Sequence, residues 1–103
     1  MKPDRVLQSL SMAQKAHMVN SGEFLCEQTV KSGGAFLVIV ATDASDRTKK
    51  HFSDMCAYYE VPIRFYGNKE ELGHNIGKEF RASLCITNEG MASKIINKID
   101  GGN

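Results

Sequence analysis

Ala35-Phe36-Leu37-Val38-Ile39-Val40-Ala41 is an unbroken apolar run rich in β-branched side chains, preceded by Ser32-Gly33-Gly34 and followed by Thr42-Asp43-Ala44-Ser45. A strand without polar alternation has no face to give to water, so the run predicts a central strand covered by helices on both faces. The flanking segments supply covers. Upstream, the pairs Leu25/Thr29 and Cys26/Val30 recur at helical spacing after Gly22, until the serine and glycines stop the pattern. Downstream, the turn and cap chemistry of residues 42–45 leads into Phe52, Met55, Cys56 and Tyr59, an i, i+3, i+4, i+7 stripe that predicts another helix.

Farther out, Val6, Leu7, Leu10 and Ala13 share one face of a first helix that runs to about Ala16. Pro62 cannot donate to a ladder, so the strand within residues 61–66 begins at about Ile63. Asn68 with Glu71 three residues later reads as a capping box opening a short helix through Leu72, which the glycines of residues 73–77 close. Residues 82–87 read as a further strand. Asn88 then caps a last helix carrying Met91, Ile95, Ile96 and Ile99, with Gly101-Gly102 beyond its end. This alternation predicts an α/β fold: one domain, a three-layer α/β/α sandwich around a small central mixed sheet.

With 103 residues, 42% of them hydrophobic, and a formal net charge of +1, the chain has the composition of one ordinary soluble domain. No run reaches the ~18 apolar residues of a membrane span, and Met1-Lys2-Pro3-Asp4-Arg5 lacks a signal-peptide core, so a cytoplasmic protein is expected. A charge near zero argues against non-specific coating of nucleic acid and leaves room for a site built on a few contacts. Cys26, Cys56 and Cys85 are too far apart in sequence for a metal knuckle or thioredoxin pair, and are expected as small core residues in a reducing compartment. His17, His51 and His74 follow no metal-binding spacing. The glycines form neither a Walker loop nor G-x-G-x-x-G, so no catalysis, metal or cofactor is expected. Met12, Met18, Met55 and Met91 read as core filler, and Arg47, Lys49 and Lys50 as an exposed charge-mixed helical face with no ligand.

Two segments stand out. Asn20-Ser21-Gly22 leads directly into a helix, whose first amides are unpaired and suit a phosphate, although the commoner role of such a Ser-Gly is a plain cap. Glu23 there favours the helix dipole but repels an anion. Gly77-Lys78-Glu79-Phe80-Arg81 sets two cations around an aromatic ring, which either stacks on an unpaired base or plugs the core beneath a solvated loop.

Taken in order, Ser21-Gly22 before a helix, Ser32-Gly33-Gly34-Ala35 with the run from Phe36 to Asp43, Cys56-Ala57-Tyr58-Tyr59-Glu60-Val61-Pro62, and Asn68-Lys69-Glu70-Glu71-Leu72-Gly73 resemble the kink-turn-binding ribosomal-protein family over nearly the whole chain. The resemblance implies a first strand within residues 18–21 and a non-enzymatic protein that stabilises a sharply bent RNA built around tandem sheared G·A pairs. The partner implied is structured RNA of that kind, ribosomal RNA and the ribosome being candidates, with no DNA and no membrane. Carried over residue by residue, the RNA-facing set is Lys15, Ser21, Gly22, Phe24, Leu25 and Gln28, with Lys78, Glu79, Phe80, Arg81 and Ala82 in a second contact loop. Relatives that read the G·A pairs usually carry Asn-Glu or Lys-Gln where this chain has Phe24-Leu25, and often a basic residue where it has Gln28. Apolar side chains cannot hydrogen-bond base edges, so recognition here leans on backbone amides, RNA shape and stacking. The rival expectation is a protein-interaction module on the same fold, with Phe24 and Leu25 as its apolar patch. If Gly22 only touches RNA backbone, Gly22→Glu removes binding and leaves the fold intact.

Overall fold

The computed structural model describes residues 4–101, in the order α1 (Arg5–Lys15), β1 (Val19–Ser21), α2 (Glu23–Lys31), β2 (Leu37–Val40), α3 (Asp46–Tyr59), β3 (Ile63–Phe65), α4 (Lys69–Asn75), β4 (Ser83–Ile86) and α5 (Glu89–Gly101). Residues 1–3, read above for a leader, and Gly102, read as following the last helix, lie outside the described residues. The strands form one mixed sheet in the order β1-β4-β2-β3. β4 runs antiparallel to both of its neighbours, and β2 runs parallel to β3. Helices α2 and α3 pack on one face of the sheet, and α1, α4 and α5 form the layer on the other.

Burial follows from that order. All four residues of β2 and of β4 are buried, as two-sided cover requires, whereas the edge strands β1 and β3 contain no fully buried residue. The expected central strand is therefore present, trimmed to Leu37–Val40, and Phe36 just before it is 37% exposed. Phe52 from α3 and Leu10 from α1 are both fully buried; removing such side chains from water contributes about 2–3 kcal/mol each. The three cysteines are buried free thiols.

The differences from expectation lie at the margins. Met12 is 52% exposed rather than core filler, because it falls off the Val6–Leu10–Ala13 stripe, and Tyr59 at the end of α3 is 39% exposed. α1 stops at Lys15, and Gly101 belongs to α5 instead of following it. α4 continues past Leu72 to Asn75, so Gly73 lies inside the helix.

Four helices open on a side-chain cap. Asp4 accepts from Leu7, Ser45 from Thr48 and Asn88 from Met91, while Asn68 and Glu71 form both arms of a capping box. α2 opens on Gly22, with no side-chain cap.

Candidate nucleic-acid interface

The antiparallel register Ser21↔Leu84 sets the end of β1 beside the start of β4, so the residues leading into α2 and those leading into β4 meet at one end of the sheet. The Gly22 amide donates to the Ser83 carbonyl at 3.0 Å. Arg81 Nε donates to Ser21 Oγ at 3.1 Å, and its Nη1 donates to the Phe80 carbonyl at 2.7 Å. The Arg81 side chain thus ties together two segments sixty residues apart in sequence.

At the start of α2, Gly22 adopts φ +93° and ψ 152°, a region that essentially only glycine enters. Its own carbonyl accepts from the Cys26 amide, while the amides of Glu23, Phe24 and Leu25 find no acceptor among the described residues. They point outward as unpaired donors at the positive end of the helix dipole. Contrary to the sequence expectation, Gly22 cannot be replaced at no cost to the fold: a side chain has open space around it but forces the backbone into strain. Glu23 lies against Arg47, Nη2 to Oε1 at 3.3 Å, with both side chains exposed. That pair adds at most about 1 kcal/mol, yet it sets a cation beside the carboxylate nearest the free amides.

The second segment is seated on α4. The Lys78 amide donates to the Gly73 carbonyl at 2.8 Å and the Arg81 amide to that of Lys69 at 3.0 Å. A Cβ on Gly73 would meet the Glu79 carbonyl oxygen at 2.6 Å and Phe80 Cα at 2.9 Å. Only glycine admits the loop this close. Held there, Phe80 is 57% exposed rather than a core plug, and it lines a shallow depression with Asp43 and Lys69. The Lys69 amide donates to Asp43 Oδ1 at 2.9 Å.

The structure brings Ser21, Gly22, Lys78, Glu79, Phe80, Arg81 and Ala82 to this end, with Phe24 and Leu25 in the first turn of α2 beside it. Phe24 is 74% and Leu25 42% exposed, and exposed Gln28 lies one turn beyond Phe24 on the same helical face. Half-buried Ala82 has a scaffold role, its carbonyl accepting from the Ala41 amide. Lys15 is not brought together with the others. It ends α1, which feeds β1 at the Val19↔Ile86 end of the sheet, opposite Ser21. Arg47, Lys69 and Gly73 were not singled out from the sequence as site residues. Lys69 and Gly73 do stand in the run Asn68–Gly73 that carries the resemblance, where Gly73 reads as closing the helix rather than as seating a loop. The cations Arg47, Lys69, Lys78 and Arg81 interleave with Glu23, Asp43, Glu70 and Glu79, so the face is charge-mixed.

With this geometry in view, the chain is 38% identical over 91 residues to the RNA-binding protein YlxQ of Bacillus subtilis (strain 168), covering 88% of this chain and 91% of that one. It is 33% identical over 97 residues to the RNA-binding protein YlxQ of Enterococcus faecium, covering 94% and 93%. Among solved structures, a protein of unknown function from Bacillus halodurans C superposes with a TM-score of 0.92 at 33% identity, over 95% of this chain and 99% of that one. The Giardia lamblia 15.5kD RNA binding protein shares the fold, with a TM-score of 0.79 at 24% identity over 93% of this chain and 85% of that one. Residues 4–97 match the model of the ribosomal protein L7Ae/L30e/S12e/Gadd45 family, and the chain belongs to that family.

Proposed function

We propose that this chain is a non-enzymatic, cytoplasmic RNA-binding domain that holds a structured RNA of the kink-turn kind in its bent form. The observation that carries the reading is the Arg81–Ser21 hydrogen bond of 3.1 Å, which unites the open end of α2 and the Phe80 loop in one docking face. The printed names of its Bacillus subtilis and Enterococcus faecium relatives support the same reading. On it, the free amides of residues 23–25 donate to backbone phosphate, Lys78 and Arg81 add charge-assisted contacts, and Phe80 stacks on a nucleotide splayed from the bend. Contacts that exist only in the bent RNA shift its population toward that form. Phe24 and Leu25 offer no hydrogen bonds to base edges, so shape and stacking carry more of the recognition than direct readout. Among the described residues, no helix is long and apolar enough to cross a membrane.

A second reading, a protein-interaction module, is favoured by one observation: Phe24 is 74% exposed on a face whose charges balance. The deciding experiment titrates the purified protein into a kink-turn RNA carrying a donor and acceptor dye on its two arms, and into the same RNA with its tandem G·A pairs replaced. Tighter binding to the first, with a rise in energy transfer, is expected. Equal weak binding to both would overturn the RNA reading and leave the Phe24-Leu25 patch as a protein-docking surface.

A further inference from the structure

Among the described residues, six of the eight exposed large apolar side chains fall into two groups at opposite ends of the sheet. Phe24, Leu25 and Phe80 belong to the face described above. Phe36, Tyr58 and Tyr59 do not, and nothing in the proposed RNA reading uses them. Phe36 precedes β2, and Tyr58 and Tyr59 end α3, so the three lie where β2 and β3 begin and β4 ends. There the end of α2, the end of α3 and the start of α5 enclose a groove of about 440 Å³, walled by Phe36, Tyr59, Pro62 and Ile96. Tyr58 packs edge-on against Tyr59, with ring centroids 4.9 Å apart.

The electrostatics of this groove are negative. α2 and α3 both point their carboxyl ends at it, where a helix carries about half a negative charge, and α3 has no basic residue in its last turn. The amino end of α5 offsets one of these dipoles but brings Glu89 with it. The one cation on the rim, Lys31, is held by Glu27 at 2.9 Å. Glu60 and Glu89 have no ion-pair partner among the described residues. Glu60 also sits in the left-handed region at φ +57°, where glycine or asparagine ends most such helices. A carboxylate is kept there against a conformational cost, and such outliers concentrate at functional positions.

We propose that this groove is a second binding site, for a polypeptide segment whose arginine or lysine side chains are interspersed with apolar ones. The apolar side chains fill the space between Phe36, Tyr59 and Ile96. The cations lie over the tyrosine rings and against Glu60, Glu89 and the helix carboxyl ends. The same field repels a phosphate backbone. Because the groove and the Phe80 face occupy opposite ends of the sheet, the domain can hold RNA and a basic protein segment together; the groove itself does not depend on the RNA reading.

The test is a titration of the ¹⁵N-labelled protein with a short blocked peptide alternating arginine and leucine, and with its twin carrying glutamate for arginine. Amide shifts confined to Gly33, Phe36, Glu60, Glu89 and Ser93 are expected with the arginine peptide only. Tyr59→Ala is expected to weaken the peptide about fivefold. Glu60→Gly is expected to weaken it about threefold while raising the melting temperature, because glycine relieves the left-handed strain; loss of affinity in a more stable protein cannot come from damage to the fold. Binding of the kink-turn RNA probe, measured in parallel, stays unchanged in both variants. Equal shifts from the glutamate twin, shifts at the Phe24 and Phe80 end, no shifts at all, or an unaltered peptide affinity in Glu60→Gly would overturn the proposal. Shifts of the same amides on raising protein concentration without peptide would overturn it in favour of a second copy of this chain.

Discussion

Replacing Gly73 by alanine tests whether α4 is the seat of the Phe80 loop. The new Cβ would lie 2.6 Å from the Glu79 carbonyl oxygen and 2.7 Å from its carbon, where ordinary contact starts at 3.4 Å, so the loop backbone must retreat by about 0.8 Å. The obstructing atoms are main chain, anchored on either side by the Lys78 amide on Gly73 and the Arg81 amide on Lys69, so no side chain can swing aside. Overpacking of this kind costs about 1–3 kcal/mol, and the better helix propensity of alanine returns up to about 1 kcal/mol. Because the obstructing contacts lie well under 3.0 Å and are main chain, the clash falls in the upper part of its range, about 2–3 kcal/mol, and wins by about 1–2 kcal/mol, or roughly 5–15 °C in melting temperature for a chain of this size. Gly22→Ala makes the contrast, since nothing lies within 4 Å of its Cβ and its cost is backbone strain alone at φ +93°. Thermal melts and RNA affinities of both variants are read beside those of Phe80→Ala, which leaves the backbone alone and removes only the ring. Loss of a stacked base costs about 1–3 kcal/mol, so Gly73→Ala and Phe80→Ala should lose RNA affinity alike, by about tenfold, while only the former melts early. A Gly73→Ala protein that melts within about 1 °C of the parent and binds RNA normally would refute the seating.

Two more outcomes are expected. Lys78→Ala should lower the salt slope of RNA binding by about one with the fold untouched, whereas Arg81→Ala, which also breaks the bond to Ser21 Oγ, should lower the slope and the melting temperature together; slopes and melts unchanged in both would remove this loop from the interface. Stability should also fall at alkaline pH, because burial pushes the Cys56 thiol from 9.0 up to about 11, and burial with the neighbouring Asp4 carboxylate pushes the Tyr66 hydroxyl from 10.0 up to about 12. The unfolded chain ionises first, so this stability is complete below about pH 9 and declines as the pH climbs through the raised folded values; a urea midpoint that stays flat from pH 8 to about pH 11 would contradict it.

Features that depend on neighbours a few residues apart are legible in the periodicity of the chain. The β2 run was legible because four consecutive buried residues leave no polar alternation. The caps at Ser45, Asn68 and Asn88 were legible because each bond spans three residues. The same local rules placed Phe52, Met55 and Cys56 inside. β1 was not readable this way, since its three residues are all half-buried and carry no pattern; the family resemblance alone suggested it. Helix-start chemistry pointed to Ser21-Gly22 and the cations around Phe80 to residues 77–81, and the resemblance added Lys15, Phe24, Leu25, Gln28 and Ala82, but only the strand order β1-β4-β2-β3 determined which of them share a face. It brought Arg81 to Ser21 and left Lys15 at the far end of the sheet, and it grouped Phe36 with Tyr59 into a groove that no stretch of sequence announces. Gly73 shows the same division: its type was visible, but its reason is the backbone of Glu79 and Phe80 pressed against it. Local sequence specifies which segments are helix or strand and which side each buries, through propensities and hydrogen bonds that close within a turn. Contacts between residues sixty positions apart, such as that of Arg81 with Ser21, exist only once the sheet has chosen its neighbours.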